Sequence, residues 1–125
     1  MIFYDCSTAP SPRRARILLH EKQAPHEVVN IDIMRGEQLG EAFKLINPSC
    51  TVPALKLDDG TVLTENSGIA AYLESAFPNP PMLGKTDIEK GLIASWNSKI
   101  EFEGLYAVAE ALRNSSPMML SLIHI

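Results

Sequence analysis

The residues with the clearest chemical reading are Asn47-Pro48-Ser49-Cys50-Thr51-Val52-Pro53-Ala54-Leu55, followed by the turn Asp58-Asp59-Gly60. A proline at the entrance of a strand either caps an edge or marks a cis peptide in a tight turn. With Val52-Pro53 cis, the chain reverses there. Val52 then offers its own N–H and C=O to something other than a neighbouring strand. Backbone groups in a partly buried place need a partner, and an extended peptide ligand supplies one. A second pointer is Arg13, Arg14 and Arg16, which crowd the first turns of a predicted helix, where the macrodipole disfavours positive charge. The choice, made three times, suggests an acidic partner or an anionic ligand nearby; a solvated basic face is the plainer alternative and is favoured. Other chemistries find little support. Cys6 and Cys50 form no CxxC pair, His20, His26 and His124 are scattered, and zinc-ligand spacing is absent.

The elements that must position these residues follow from periodicity and punctuation. Ile2-Phe3-Tyr4 reads as a short strand, and the loop from Cys6 to Pro12 leads to a helix with Ser11 as N-cap and Pro12 at its first position. Ala15, Leu18, Leu19 and Lys22 form the stripe of that helix, and Ala24-Pro25 ends it. Glu27 to Ile33 reads as a second strand, and Gly36 and Gly40 flank a polar loop. Glu41 to Ile46 makes a helical turn. Pro53–Leu57 and Thr61–Thr64 form a hairpin around an Asp-Gly turn. A further helix carries Ile69, Ala70, Tyr72, Leu73 and Ala76, with Asn66 or Ser67 as its cap. Asn79-Pro80-Pro81 is a stiff linker, with Pro78 before it and Gly84 after it. Beyond it, Thr86-Asp87-Ile88-Glu89 is a capping box. Ile88, Leu92, Trp96 and Ile100, then Leu105, Tyr106, Ala109 and Leu112, give one long amphipathic helix to about Asn114.

The 125 residues, 46% hydrophobic and 21% charged, suit a soluble globular protein with one domain and a little more. A net charge of −4 argues against general binding to nucleic acid or anionic membrane. No apolar run approaches the roughly 18 residues of a membrane span. The N-terminus does not read as a signal peptide, and the two separated cysteines suit a reducing, cytoplasmic setting.

In sequence the chain resembles the cytosolic glutathione S-transferases, of bacterial type. The matching pieces are Ser11-Pro12-Arg13-Arg14-Ala15-Arg16-Ile17-Leu18-Leu19, Gly36-Glu37-Gln38-Leu39, the Asn47–Leu55 stretch, and Leu63-Thr64-Glu65-Asn66-Ser67-Gly68-Ile69-Ala70-Ala71-Tyr72-Leu73. In order and together, they are highly specific. The resemblance implies an α/β fold, a thioredoxin-like βαβαββα domain over residues 1–77, then a linker over 78–85. The first helix of an all-α domain follows over 86–119. It implies glutathione as co-substrate, a small electrophile as partner, and no metal. A role in detoxification and a homodimer for the full-length protein are also implied. By the same resemblance Pro53 is cis and Val52 pairs its backbone with the cysteinyl part of glutathione. Glu65 and Asn66 hold the γ-glutamyl end, and Gln38 reaches the glycine carboxylate. The family's thiol-activating hydroxyl or thiol falls at Ala9, which has no donor. Ser11, at a helix N-terminus, is the favoured replacement, with Thr8, Ser7, Cys6 and Tyr4 as neighbouring candidates.

The family's helical domain is longer than the single helix present here. Leu120-Ser121-Leu122-Ile123-His124-Ile125 has no place in the family pattern and resembles the translated end of a sequencing adapter, so residues 120–125 are expected to be a non-native tail. A short native tail packing on the helix is the alternative. The leading functional expectation is glutathione transfer. A glutathione-dependent disulfide reductase or peroxidase, or a non-catalytic thioredoxin-like binding or dimerisation module, compete with it.

Overall fold

The computed structural model describes residues 1–117, so the expected tail at 120–125 lies outside the described residues. The chain divides into two units, Met1–Met82 and Leu83–Ile125.

The first unit grows from β1 (Ile2–Asp5), whose side chains alternate between two faces. Tyr4 meets Phe43 edge-on at 5.8 Å between centroids, beside a buried cluster of Cys6, Ile31, Phe43 and Val52. Phe3, one residue earlier, belongs to the opposite face and is fully buried. The chain leaves β1, crosses through α1 (Arg13–Glu21), and returns as β2 (Glu27–Asn30), which pairs parallel to β1 with Ile2 opposite Glu27. A parallel pair requires such a crossover. Short 3₁₀ turns at Ile33–Arg35 and Glu37–Leu39 and α2 (Glu41–Lys44) lead to the hairpin of β3 (Ala54–Lys56) and β4 (Val62–Leu63). α3 (Asn66–Ala76) closes the unit. The sheet order is β2-β1-β3-β4, with β3 antiparallel to both β1 and β4. This is the βαβαββα thioredoxin-like order.

α1 packs on α3. Ala15, Leu18 and Leu19 are buried on the first helix, and Ile69, Ala70 and Leu73 on the second. Each buried leucine or isoleucine contributes about 1.5–3 kcal/mol. α1 ends where Gln23 takes φ +50°, its N–H donating to His20 O at 3.0 Å and that of Ala24 to Leu19 O at 3.1 Å. These two bonds satisfy carbonyls that the helix leaves open. β2 is shorter than the expected Glu27–Ile33. The Asp32 carboxylate accepts the Arg35 N–H at 3.2 Å and so starts a 3₁₀ turn, while Ile31 turns into the core.

In the second unit, the Thr86–Glu89 capping box opens α4 (Asp87–Ile100). The Glu89 N–H donates to Thr86 Oγ at 3.2 Å, and Glu89 Oε2 accepts the Thr86 N–H at 3.1 Å. Gly84, at φ +99°, lies so close to this start that a Cβ would sit 2.7 Å from the Lys90 nitrogen. A π turn, Glu101–Leu105, joins α4 to α5 (Tyr106–Ser115). The long helix expected from periodicity is therefore present with one wide turn in it. The step from Ile100 to Leu105 is five residues where the preceding apolar steps are four, and a wide turn of i→i+5 bonds absorbs the extra residue.

Candidate functional site

The site is built on the turn that precedes β3. Asn47, 1% exposed, organises it. Its Nδ2 donates to Thr51 O at 2.8 Å and to Thr51 Oγ1 at 3.1 Å, and its Oδ1 accepts the Ser49 N–H at 3.0 Å. Cys50 closes the turn in the left-handed region at φ +55°, with its N–H on Asn47 O at 2.9 Å. The Val52–Pro53 peptide is cis, and both residues are buried. The Val52 N–H has no hydrogen-bond partner among the described residues. The Val52 carbonyl accepts the Ser11 hydroxyl at 2.9 Å.

That bond corrects one expectation. Ser11 does not cap α1: Pro12 holds the N-cap position without a side-chain bond. The Ser11 side chain instead reaches across to the turn. A second correction concerns α3. Neither Asn66 nor Ser67 caps it; Glu65, in extended conformation, precedes the helix without a side-chain cap. Asn66 is the first helical residue, and its Nδ2 donates to Ser11 O at 2.9 Å. Asn66, Ser11 and Val52 thus form one hydrogen-bonded chain across the start of α3, the start of α1 and the cis turn.

Of the residues singled out in sequence, this chain brings together Ser11, Val52, Pro53 and Asn66, with Glu65 adjacent. Gln38 sits apart in the second 3₁₀ turn, and its Oε1 is buried without a partner, as is Asn66 Oδ1. No hydrogen bond links Gln38 to the other four among the described residues.

The loop between β1 and α1 is held by a fork of Arg16 on Asp5, with Nε to Oδ2 and Nη2 to Oδ1 both at 2.8 Å. Nη2 also donates to Cys6 O at 3.3 Å. Two parallel charge-assisted bonds of this kind fix orientation as well as energy. They hold the Arg16 guanidinium above its ordinary value, the hydrogen bond to Asp5 outweighing desolvation. Arg16 thus has an internal acidic partner. Cys6 is 4% exposed, with Sγ 3.4 Å from Thr8 Oγ1. Burial pushes its thiol up, but the Thr8 hydroxyl and the backbone of Thr8, Ala9 and Ile33 together hold it below its ordinary value.

Sequence reasoning missed the Asp5–Arg16 fork and the roles of Asn47 and Ser11. Asp5 and Arg16 lie on different elements, so no periodic pattern pairs them. Asn47 did carry a signal: an Asn before a proline-bounded turn favours side chain-to-backbone bonds of this kind.

Chemically, an unpaired N–H beside a carbonyl on one residue of the cis turn suits a peptide. The start of an eleven-residue helix offers N–H groups and a positive dipole end to a carboxylate.

Comparison with known proteins agrees in both sequence and fold. The family described as glutathione S-transferase, N-terminal domain, matches residues 8–76. Glutathione S-transferase 2 of Saccharomyces cerevisiae is 39% identical over 119 residues, which are 94% of this chain and 51% of that protein. A glutathione S-transferase domain-containing protein of Marinobacter aquaeolei superposes with a TM-score of 0.83 at 36% identity, covering 90% of this chain and 56% of that one. A glutathione transferase homologue of Sulfitobacter, solved with bound glutathione, shares the fold at a TM-score of 0.74 and 24% identity, over 80% of this chain and 48% of that one. The chain spans about half the length of the curated relatives it matches.

Proposed function

The chain belongs to the glutathione S-transferase family, and on that premise we propose that its first unit binds glutathione and activates its thiol for transfer to a small electrophile. The observation that carries this reading is the chain Asn66 Nδ2–Ser11 O and Ser11 Oγ–Val52 O, both 2.9 Å, beside an unpartnered Val52 N–H. It gathers three segments distant in sequence around one residue whose backbone is open to a peptide.

The cysteinyl part of glutathione pairs with Val52 as a short β-bridge, its C=O accepting the Val52 N–H and its N–H donating to the Val52 carbonyl. The γ-glutamyl carboxylate lies at the start of α3, where the dipole favours negative charge. Glu65 takes the ligand's ammonium, and the Gln38 amide reaches the glycine carboxylate. As the cysteinyl N–H takes the Val52 carbonyl, the Ser11 hydroxyl turns to the sulfur. The thiol gives its proton to solvent, and the thiolate is held by that hydroxyl and the start of α1. The thiolate then attacks the electrophilic carbon, forming a C–S bond, and the leaving group departs with its electron pair. Ser11→Ala should lower turnover of an aryl halide at least about tenfold. An unchanged rate would exclude Ser11. Binding without turnover would favour a binding module.

Cys6, in the loop between β1 and α1 with its Sγ 3.4 Å from Thr8 Oγ1 and its thiol held, against burial, below its ordinary value, favours a second reading, glutathione-dependent disulfide reduction after local opening of that loop. Cys6 thiolate attacks a disulfide sulfur and expels one thiolate; glutathione then resolves the mixed disulfide, and a second glutathione releases the first as glutathione disulfide. On this reading Cys6→Ser abolishes reduction of a small disulfide and spares conjugation.

A further inference from the structure

Lys22 stands just past the end of α1, where periodicity makes it part of an apolar stripe. Its side chain is fully buried, yet it carries an ammonium. A charge in that position requires partners. Lys22 Nζ pairs with the Glu74 carboxylate in the last turns of α3 and donates to Pro80 O at 2.6 Å. Glu74 in turn accepts the Met82 N–H on both oxygens, at 2.9 and 3.1 Å. Two helices and the linker therefore share one cluster of charge-assisted bonds. It lies at the opposite ends of α1 and α3 from the candidate site.

We propose that Lys22 and Glu74 form a latch that fastens the linker segment Pro80–Met82 to the first unit and fixes the point where the chain leaves it. The bonding pattern supports a fastening role more than a general contribution to stability. A buried ion pair gains little over apolar residues of the same volume, because desolvation offsets the attraction. What it supplies here is specificity: the ammonium selects a linker carbonyl and the carboxylate a linker N–H. Apolar packing could not select these groups. Prolines stiffen the linker but give Pro80 and Met82 no reason to lie on this face.

The experiment compares amide hydrogen exchange at Met82 with that of core amides such as Phe3 and Leu55, in the 125-residue chain. Lys22→Met leaves the Glu74 carboxylate without its buried cation, so the carboxylate turns to solvent and releases the linker. Met82 exchange should rise about tenfold to hundredfold, the range for losing a hydrogen bond to a charged group. Should that variant unfold, the double variant Lys22→Met with Glu74→Leu removes both charges and keeps the apolar volume. It should fold with core exchange unchanged and still show the fast Met82 amide. Wild-type exchange at Met82 in a folded double variant would overturn the latch, as would a rise shared equally by the core amides.

Discussion

The two units of this chain solve the problem of stability differently. Every buried apolar residue among the described ones lies between Phe3 and Leu73. α4, the π turn and α5 hold no buried residue at all, and Leu92, Trp96 and Ile100 are each more than half exposed. The hydrogen bonds differ in the same way. Ser11 reaches Val52 and Lys22 reaches Pro80, whereas the side chains of Ser95 and Asn114 bond to backbone four residues away. The first unit is defined by long-range contacts and the second by local ones. A site that needs three segments held together belongs in the first.

The largest test of that contrast is truncation of an apolar side chain in each unit. Leu73→Ala should cost about 2–5 kcal/mol, because it opens a cavity in a closed core. Leu92→Ala should cost less than about 0.5 kcal/mol, as at other exposed positions. Urea unfolding followed at the amide signals of β1 measures the first, and helix signals of α4 the second. Equal costs would erase the distinction. Next comes Asn47→Ala, which removes three bonds from a side chain almost wholly buried. We expect about 2–3 kcal/mol from the unsatisfied groups left in the turn, with disturbance centred on Val52.

Much of this fold is legible in the sequence where its cause is local. The Thr86–Glu89 box has both partners within one turn, and the Asp-Gly dipeptide marks the hairpin between β3 and β4. The gathering of Val52, Pro53 and Asn66 was expected from the family likeness. Where the reading failed, a distant group outcompeted a near one. Ser11 has the right type and place for an N-cap, but its hydroxyl bonds a carbonyl 41 residues away. Lys22 fits the helical period and is indeed buried, yet nothing local shows that Glu74 makes its burial tolerable. Cys50 occupies a left-handed position that sequence signals assign to glycine or asparagine.

Smaller tests sharpen the comparison. Thr86→Ala should cost about 1 kcal/mol of helix stability in α4 and leave the first unit untouched, as read by backbone chemical shifts. Cys50→Gly removes a left-handed non-glycine residue and should stabilise the first unit by up to about 1 kcal/mol in urea unfolding. The smallest effect is electrostatic. The N–H groups of Lys85 and then Thr86 hold the Glu89 carboxyl below its ordinary value. A depressed carboxylate contributes stability above its unfolded value and loses it as pH falls through the folded one. The first turn of α4 should therefore fray on acidification later than a free glutamate titrates. Fraying in step with a free glutamate would break the link.

We propose that the cis turn and the start of α3 form one glutathione site. The most direct test is titration of the chain with glutathione while amide signals are followed by nuclear magnetic resonance. Saturable shifts should be largest at Val52 and Asn66. Saturable binding that leaves both amides unmoved, or no binding at all, would contradict it.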